Sequence, residues 1–126
     1  MVSILKNKLY RNSGIEIRKS PKHGWGVFSR TNIKKYSLLE EVPFLLIPES
    51  DIASQSDLRA YTYTNEDEQT QFIIGFGLAQ LYNHSSDPNA DWTCDWVNMT
   101  ISFYASKNIF TDEEICIHYG LSLIHI

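Results

Sequence analysis

The sequence predicts a small, mostly β domain, and three observations support that prediction. The chain has 126 residues, which is the size of a single domain. Its composition, 43% hydrophobic and 21% charged, is typical of a globular protein and not of a disordered one. Short apolar runs are separated by turn residues at intervals of about 8–12 residues, which is typical of short strands.

Alternation of apolar and polar residues predicts the strands in chain order. Ile15 and Ile17 alternate with polar neighbours, and a Gly-Trp-Gly turn precedes the next apolar pair. Pro43 divides two later apolar runs, which favours a bend or an edge position there. Two further runs form a predicted hairpin across Val97-Asn98. The predicted strands cover residues 15–17, 27–28, 38–42, 44–47, 91–96, 99–104 and 115–119.

Little helix is expected. Residues 56–62 form the one helix that the pattern supports. Residues 72–82 have the length of a helix, but Gly75 and Gly77 disfavour a regular one. The same run is the longest apolar segment, and its 11 residues are too few to cross a bilayer. We therefore expect no membrane partner.

Charge is distributed unevenly along the chain. Residues 1–50 carry nine Lys/Arg and four Asp/Glu, whereas residues 51–126 carry two and eleven. A nucleic-acid binder concentrates basic residues on its working surface, so direct nucleic-acid binding is not expected. The acidic part either attracts a cationic partner or is a solvated face that maintains solubility, and both interpretations stay open.

The N-terminus and the cysteines bear on location and on metal binding. Residues 1–14 lack the apolar region of a secretory signal, so an intracellular protein is expected, without a distinction between cytoplasm and nucleus. Cys94 and Cys116 are too few for a disulfide framework, and no CxxC pair offers a metal site.

Three segments carry residues that packing alone does not explain. Lys22–Phe28 (KHGWGVF) has two glycines that let a backbone approach a ligand, or else form a tight turn. Leu81–Trp92 (LYNHSSDPNADW) leads from apolar chain into Asn-His-Ser, strong hydrogen-bonding groups at the edge of a core, or else a polar loop. Glu113–Gly120 (EEICIHYG) ends a strand in Tyr-Gly, which could simply close a sheet.

Together, in this order and spacing, the three segments resemble the SET-domain family of protein-lysine methyltransferases. The central motif, GFGLAQLYNHSSDPNA, is the most specific of them. The resemblance covers residues 14–120 as the SET domain and leaves residues 1–13 as an N-terminal extension. It implies a β-clip fold of short curved sheets, in which a pseudoknot-like crossing of the C-terminal segment brings Asn83 and His84 beside Tyr119.

The resemblance also implies an enzyme that transfers methyl from S-adenosylmethionine to the side-chain amine of lysine. Tyr119 corresponds to the catalytic tyrosine, and Tyr61 to a wall of the lysine channel, with Tyr63 in its place if the alignment shifts by two. Asn83 and His84 would hold the amino-acid and adenine ends of the cofactor. The implied cofactor-binding residues are Lys22, His23, Gly24, Trp25, Asn83, His84 and Tyr119.

Physical chemistry limits what such a site must do. The lysine amine must lose a proton, although its ordinary pKa is about 10.4. An apolar aromatic channel and a neighbouring sulfonium charge both lower that pKa. The implied partner is a histone-like or other basic protein, whose tail would add a strand to a sheet edge. Exposed sheet edges also make a homodimer an open alternative.

Three other interpretations stay open at this level. A non-catalytic SET-like module could bind lysine or methyl-lysine peptides through an aromatic cage. A catalytically inactive family member could act as a scaffold, and a small β domain could have no ligand at all. Cofactor binding separates the first of these from the enzyme.

Two departures from the family pattern are visible. Many members have Cys directly after Asn-His-Ser, where it joins a zinc cluster, but this chain has Ser86 there, so no zinc is expected. The chain ends in LSLIHI, residues 121–126, which is what the end of a transposon-based sequencing adapter encodes. We therefore expect a non-native tail in place of the natural C-terminus.

Overall fold

The computed structural model describes residues 5–52 and 71–118, together with the backbone of residues 63–64. Nine strands lie in these residues, with 3₁₀ turns at Glu49–Asp51 and Ala79–Leu81. The strands are β1 (Ile15–Lys19), β2 (Trp25–Ser29), β3 (Leu38–Pro48), β4 (Tyr63–Thr64), β5 (Gln71–Gly75), β6 (Asn83–His84), β7 (Ala90–Asp95), β8 (Thr100–Ala105) and β9 (Glu114–Ile117).

The strands form two sheets. The larger has the order β4-β5-β3-β8-β7, and the smaller has the order β1-β2-β9-β6. In the smaller sheet, β9 pairs antiparallel with β2 and parallel with β6. Strand β9 therefore lies between strands from two earlier parts of the chain, and this brings the Asn-His pair of β6 beside β9.

One apolar core draws side chains from both sheets. Ile15 and Val27 enter it from the smaller sheet, and Leu39 and Phe103 enter it from the larger one. Burial of such a side chain contributes about 1.5–3 kcal/mol. Alternation along β7 and β8 sends every second residue into this core, which is why the sequence pattern identifies both strands.

Strand β3 is continuous, whereas the sequence suggests two runs. Pro43 stands where the partner of β3 changes: Pro43 pairs with Thr100 of β8, and Phe44 pairs with Gly75 of β5. Because Pro43 has no N–H to donate, it is suited to this change of partner. The register with β8 also shifts between Leu38 and Glu40, and this irregularity buries Leu39 and Glu40 in succession.

The other predicted elements have mixed outcomes. The hairpin across Val97-Asn98 is confirmed, with residues 96–99 as its loop. Residues 72–82 form no regular helix, as expected, but a strand, a turn and a 3₁₀ turn. The helix predicted at 56–62 lies outside the described residues. Within residues 5–52 and 71–118, no helix is long and apolar enough to span a membrane.

Candidate active site

Asn83 lies at the meeting point of three segments. It pairs with Cys116 where β6 runs parallel to β9, and the residue is 7% exposed. Its Nδ2 donates to the Glu114 Oε2 at 2.8 Å and to the carbonyl oxygens of His23 and Trp25 at 3.3 Å each. One buried amide thus links the β1–β2 turn, the β6 strand and the β9 strand.

Glu114 extends this network to the base of the turn. Ser20 donates its hydroxyl to the Glu114 carboxylate at 2.8 and 2.9 Å, and the same hydroxyl accepts from the Lys22 N–H at 3.0 Å. A Cβ on Gly26 would lie 2.4 Å from Glu114 Oε2 and 3.0 Å from Asn83 Nδ2. Only glycine therefore allows the carboxylate and the amide to approach the turn this closely.

Two histidines stand side by side at the end of β9. The rings of His84 and His118 make an edge contact, with centroids 4.7 Å apart and an interplanar angle of 76°. The His84 side chain is exposed, whereas Nδ1 of His118 is buried and has no hydrogen-bond partner among the described residues. In the sequence, His118 directly precedes Tyr119, the predicted catalytic residue.

Asn89, in the same motif as Asn83, holds β9 in place. Its Oδ1 accepts from the Cys116 N–H at 2.8 Å, and its Nδ2 donates to the Glu114 carbonyl at 2.9 Å. The Asn89 N–H also donates to the Cys116 carbonyl at 3.3 Å. The side chain and backbone of Asn89 thus hydrogen-bond to the β9 backbone as a neighbouring strand would.

The structure brings most of the predicted cofactor-binding residues together. Lys22–Trp25 form the turn that Asn83 contacts, and His84 follows Asn83 in β6. Tyr119 and Tyr61 lie outside the described residues, so their predicted roles stay predictions. Only the backbone of the alternative, Tyr63, is described, in β4.

Three residues that hydrogen-bond within this candidate site carried no predicted role: Ser20, Asn89 and Glu114. Glu114 and Asn89 fall inside motifs that the sequence singles out, so a search of those motifs for buried polar side chains could have found them. Ser20 had no signal of its own. Its role depends on a contact with Glu114, 94 residues away in sequence.

The polar groups around Asn83 fit S-adenosylmethionine, the cofactor that the resemblance implies. Two backbone carbonyls and a carboxylate converge around Asn83, and such acceptors suit the positive charges of the cofactor. The exposed His84 ring and the buried, unpaired Nδ1 of His118 offer a surface and a polar contact for an aromatic base. Trp25, 55% exposed beside the same turn, adds an open apolar surface.

Both cysteine thiols are free and buried. Burial raises the pKa of Cys94 to about 12, and burial raises the pKa of Cys116 to about 11, with a further contribution from the Glu114 charge. Because the thiolate is the nucleophile and the metal ligand, both groups are inert near neutral pH. In residues 5–52 and 71–118, no three ligand-type side chains are grouped to hold a metal ion, and the absence of zinc from the whole chain stays a prediction.

Comparison with known proteins identifies the family. The family model described as the SET domain matches residues 24–120. A histone-lysine N-methyltransferase of Schizosaccharomyces pombe, named as specific for H3 lysine-37, is 34% identical over 112 residues, or 86% of this chain and 74% of that relative. A solved Plasmodium falciparum structure, assigned as a histone methyltransferase, is 34% identical, with a TM-score of 0.73, over 89% of this chain and 97% of its own.

More distant structures share the fold. A chain in a structure of a humanized mutant of the Chaetomium thermophilum Polycomb Repressive Complex 2 is 23% identical, with a TM-score of 0.67. The match covers 84% of this chain and 15% of that one. KRYPTONITE matches 86% of this chain and 24% of its own, at 24% identity and a TM-score of 0.64. These matches confirm the predicted fold, and the closer relatives confirm the predicted enzyme class. The chain belongs to the SET-domain family of protein-lysine methyltransferases.

Proposed function

We propose that this protein binds S-adenosylmethionine at the Asn83 network and methylates a lysine in the basic tail of a histone. The observation that carries the proposal is the convergence of Asn83 on the Lys22–Trp25 turn and on Glu114. The relative named for histone H3 lysine-37 supports this substrate class and makes H3 the first substrate to test.

Each part of the site has a distinct task in this proposal. The carbonyl oxygens of His23 and Trp25 accept from the cofactor's ammonium group, and Asn83 keeps the turn that carries them in place. His84 and His118 contact the adenine. When bound, S-adenosylmethionine supplies a methyl group activated by its sulfonium charge.

Tyr119 orients the lysine amine in the proposal. No covalent enzyme intermediate is needed, so catalysis consists mainly of positioning the amine and keeping it neutral. The Tyr119 hydroxyl accepts a hydrogen bond from the amine, and Tyr61 forms an apolar wall that disfavours the charged ammonium. These two roles come from the family resemblance.

Charge supports a cationic substrate. Residues 71–118 carry six Asp/Glu and one Lys/Arg. Among them, the Asp87 carboxylate is 89% exposed and pairs with Lys107, and the Asp112 carboxylate is 70% exposed and pairs with Arg18, so the excess of acidic residues rather than these two charges supports the proposal. An acidic surface raises the rate at which a basic histone tail encounters the enzyme, and this effect falls as salt is added.

Transfer of labelled methyl from S-adenosylmethionine to recombinant histones tests the proposal. Wild type should label H3 on lysine, and Asn83→Ala should lower the rate by about tenfold or more, because the turn loses its anchor. Asn32→Ala is the matched control, since Asn32 caps the exposed Thr111 N–H, outside the network. Tyr119→Phe should also lower the rate.

The outcomes separate the alternatives. If the label disappears when arginine replaces the H3 lysine for which the Schizosaccharomyces pombe relative is named, that lysine is the target, and label that persists assigns another one. Binding of H3 peptide without cofactor binding or label would instead support the non-catalytic module. Absence of label on every core histone, with S-adenosylmethionine bound, would overturn the histone substrate and leave another basic protein as the target.

A further inference from the structure

We propose that Glu40, on β3, is a positioning residue for the cofactor site and that it acts on Asn83 through Tyr82. The proposal rests on the cofactor-binding role given to Asn83 above. It adds a residue from an apolar strand of the other sheet, outside all three motifs that the sequence singles out. The argument depends on where the two oxygens of one buried carboxylate lie.

The Glu40 carboxylate spans the turn that leads into Asn83. Glu40 is fully buried, and its Oε1 accepts from the Tyr82 hydroxyl at 2.9 Å and from the Leu78 N–H at 3.2 Å. Its Oε2 lies 3.4 Å from the same Leu78 nitrogen. The two donors flank the 3₁₀ turn Ala79–Leu81, so one carboxylate fixes both of its ends.

Packing makes this arrangement rigid. Glu40 is the cross-strand partner of Phe103, and the Tyr82 ring stacks on the Phe103 ring with centroids 4.5 Å apart. Tyr82 is 1% exposed and Phe103 is fully buried. A ring held by stacking on one face and by its hydroxyl at one end has little freedom to shift.

Tyr82 influences Asn83 because the two residues are adjacent in the chain. Asn83 is the next residue, and β6 contains only Asn83 and His84, with two partners in β9. A strand this short is poorly fixed by its own ladder. The Asn83 amide contacts, at 2.8 to 3.3 Å, weaken if the strand moves by a fraction of an ångström. The position of the segment before Asn83 therefore sets the hydrogen-bond geometry of the Asn83 side-chain amide.

The choice of residue also indicates a positioning role. Burying a carboxylate costs free energy, and an apolar side chain of similar volume often serves packing as well or better. Such a side chain could not accept from the Leu78 N–H and the Tyr82 hydroxyl together. The neighbouring Glu41 points to the other face of β3, where it pairs with Lys6 and accepts from the Tyr10 N–H. Two successive glutamates thus differ in task, and this provides a matched control.

Calorimetric titration of the full chain with S-adenosylmethionine tests the proposal. Glu40→Ala should raise the Kd by about tenfold, the equivalent of roughly one hydrogen bond lost from the positioning of Asn83. Glu40→Gln should keep the Kd within about twofold of wild type, because its amide oxygen accepts the same two bonds. Arg11, whose Nη2 lies 3.4 Å from Glu40 Oε2 and whose side chain is 54% exposed, can turn into solvent. The Kd of Tyr82→Phe should lie between the values of Glu40→Ala and Glu40→Gln, and the Kd of Glu41→Ala should equal that of wild type.

A stability control separates positioning from general loosening. Ile109 is fully buried and contacts the chain at Ile33, far in sequence from residues 78–83. Ile109→Ala should lower the Tm at least as much as Glu40→Ala does. It should nevertheless keep the wild-type Kd. If Ile109→Ala weakens binding as much as Glu40→Ala does, Glu40 is only structural and the inference is overturned.

The remaining outcomes also decide. If wild type binds and Glu40→Ala binds within about twofold of it, this inference fails while the proposed function stands. If wild type does not bind S-adenosylmethionine, the proposed function fails and this inference fails with it. If Glu40→Ala does not fold, Tyr82→Phe decides, because it removes one hydroxyl and keeps the stacked ring. An unchanged Kd for Tyr82→Phe would then overturn the proposal.

Discussion

Two glutamates hold Asn83 from different sides, and their surroundings differ. Glu114 contacts the Asn83 side chain directly, in a half-buried network of polar groups beside an exposed turn. Glu40 contacts the residue before Asn83 and lies wholly inside the apolar core. The direct network can exchange its partners for a ligand or water. The buried one cannot, because each lost bond leaves a costly group behind.

The same contrast is visible in two glycines with left-handed backbone. Gly24, in the turn beside Asn83, has φ +51°, and no atom of the described residues lies within 4 Å of a Cβ placed on it. Gly77, in the turn held by Glu40, has φ +61°, and a Cβ there would lie 2.5 Å from Val42 Cγ1 and 3.0 Å from Glu40 Oε2. The turn beside Asn83 is open, and the turn held by Glu40 is crowded.

The largest expected effect comes from adding a methyl group at each glycine. Gly77→Ala should lower the free energy of unfolding by about 3 kcal/mol, because left-handed strain and a steric clash with Val42 add together. Gly24→Ala should lower it by about 1 kcal/mol, since only the strain applies. Urea unfolding followed by circular dichroism measures both. Equal losses at the two positions would contradict the contrast between an open and a crowded turn.

The next effect is a dependence of stability on pH. Burial raises the pKa of Glu40 above its ordinary value of 4.5, although the bonds from Tyr82 and Leu78 oppose this rise. Because the folded state then binds the proton on Glu40 more tightly than the unfolded state, the contribution of Glu40 to stability is fully present below pH 4.5 and is lost as the pH rises through the folded pKa. The slope is at most about 1.4 kcal/mol per pH unit.

Glu40→Gln isolates this contribution, because glutamine does not titrate. The stability of the variant minus that of wild type should increase with pH and become constant above the raised pKa of Glu40. Unfolding by urea at a series of pH values from about 4 to 8 measures the difference, in which the contributions of other groups cancel. Parallel profiles for the two proteins would show that the Glu40 carboxyl does not titrate as its burial implies.

The two glutamates also show how far sequence reasoning reached. Six of the nine described strands follow from alternation, whereas β4, β5 and β6 do not. The Asn83 side of the site follows from the family resemblance, which is carried by motifs whose residues are close together in sequence. Glu114 falls inside such a motif and could have been identified from it. Glu40 could not, because a glutamate within an apolar run is ordinarily assigned to the exposed face of a strand. The register shift that turns Glu40 inward depends on pairing with β8, more than 60 residues later, and no local pattern reveals it.

The smallest expected effect concerns Arg11, a partner of Glu40 that is open to solvent. Arg11 Nη2 donates to Glu40 Oε2 at 3.4 Å, and the Arg11 side chain is 54% exposed. Arg11→Met, which keeps the apolar stem, should therefore cost less than about 1 kcal/mol near neutral pH, and high salt should reduce the cost. It should also raise the pKa of Glu40 further, since the Arg11 charge lowers that pKa.

In the Glu40→Gln background, the Arg11→Met change should cost almost no stability, because the charge that Arg11 pairs with is gone. A cost near 2 kcal/mol that survives in that background would mean that Arg11 stabilises the fold through contacts other than Glu40. The turn would then be held from the solvent side as well as from the core.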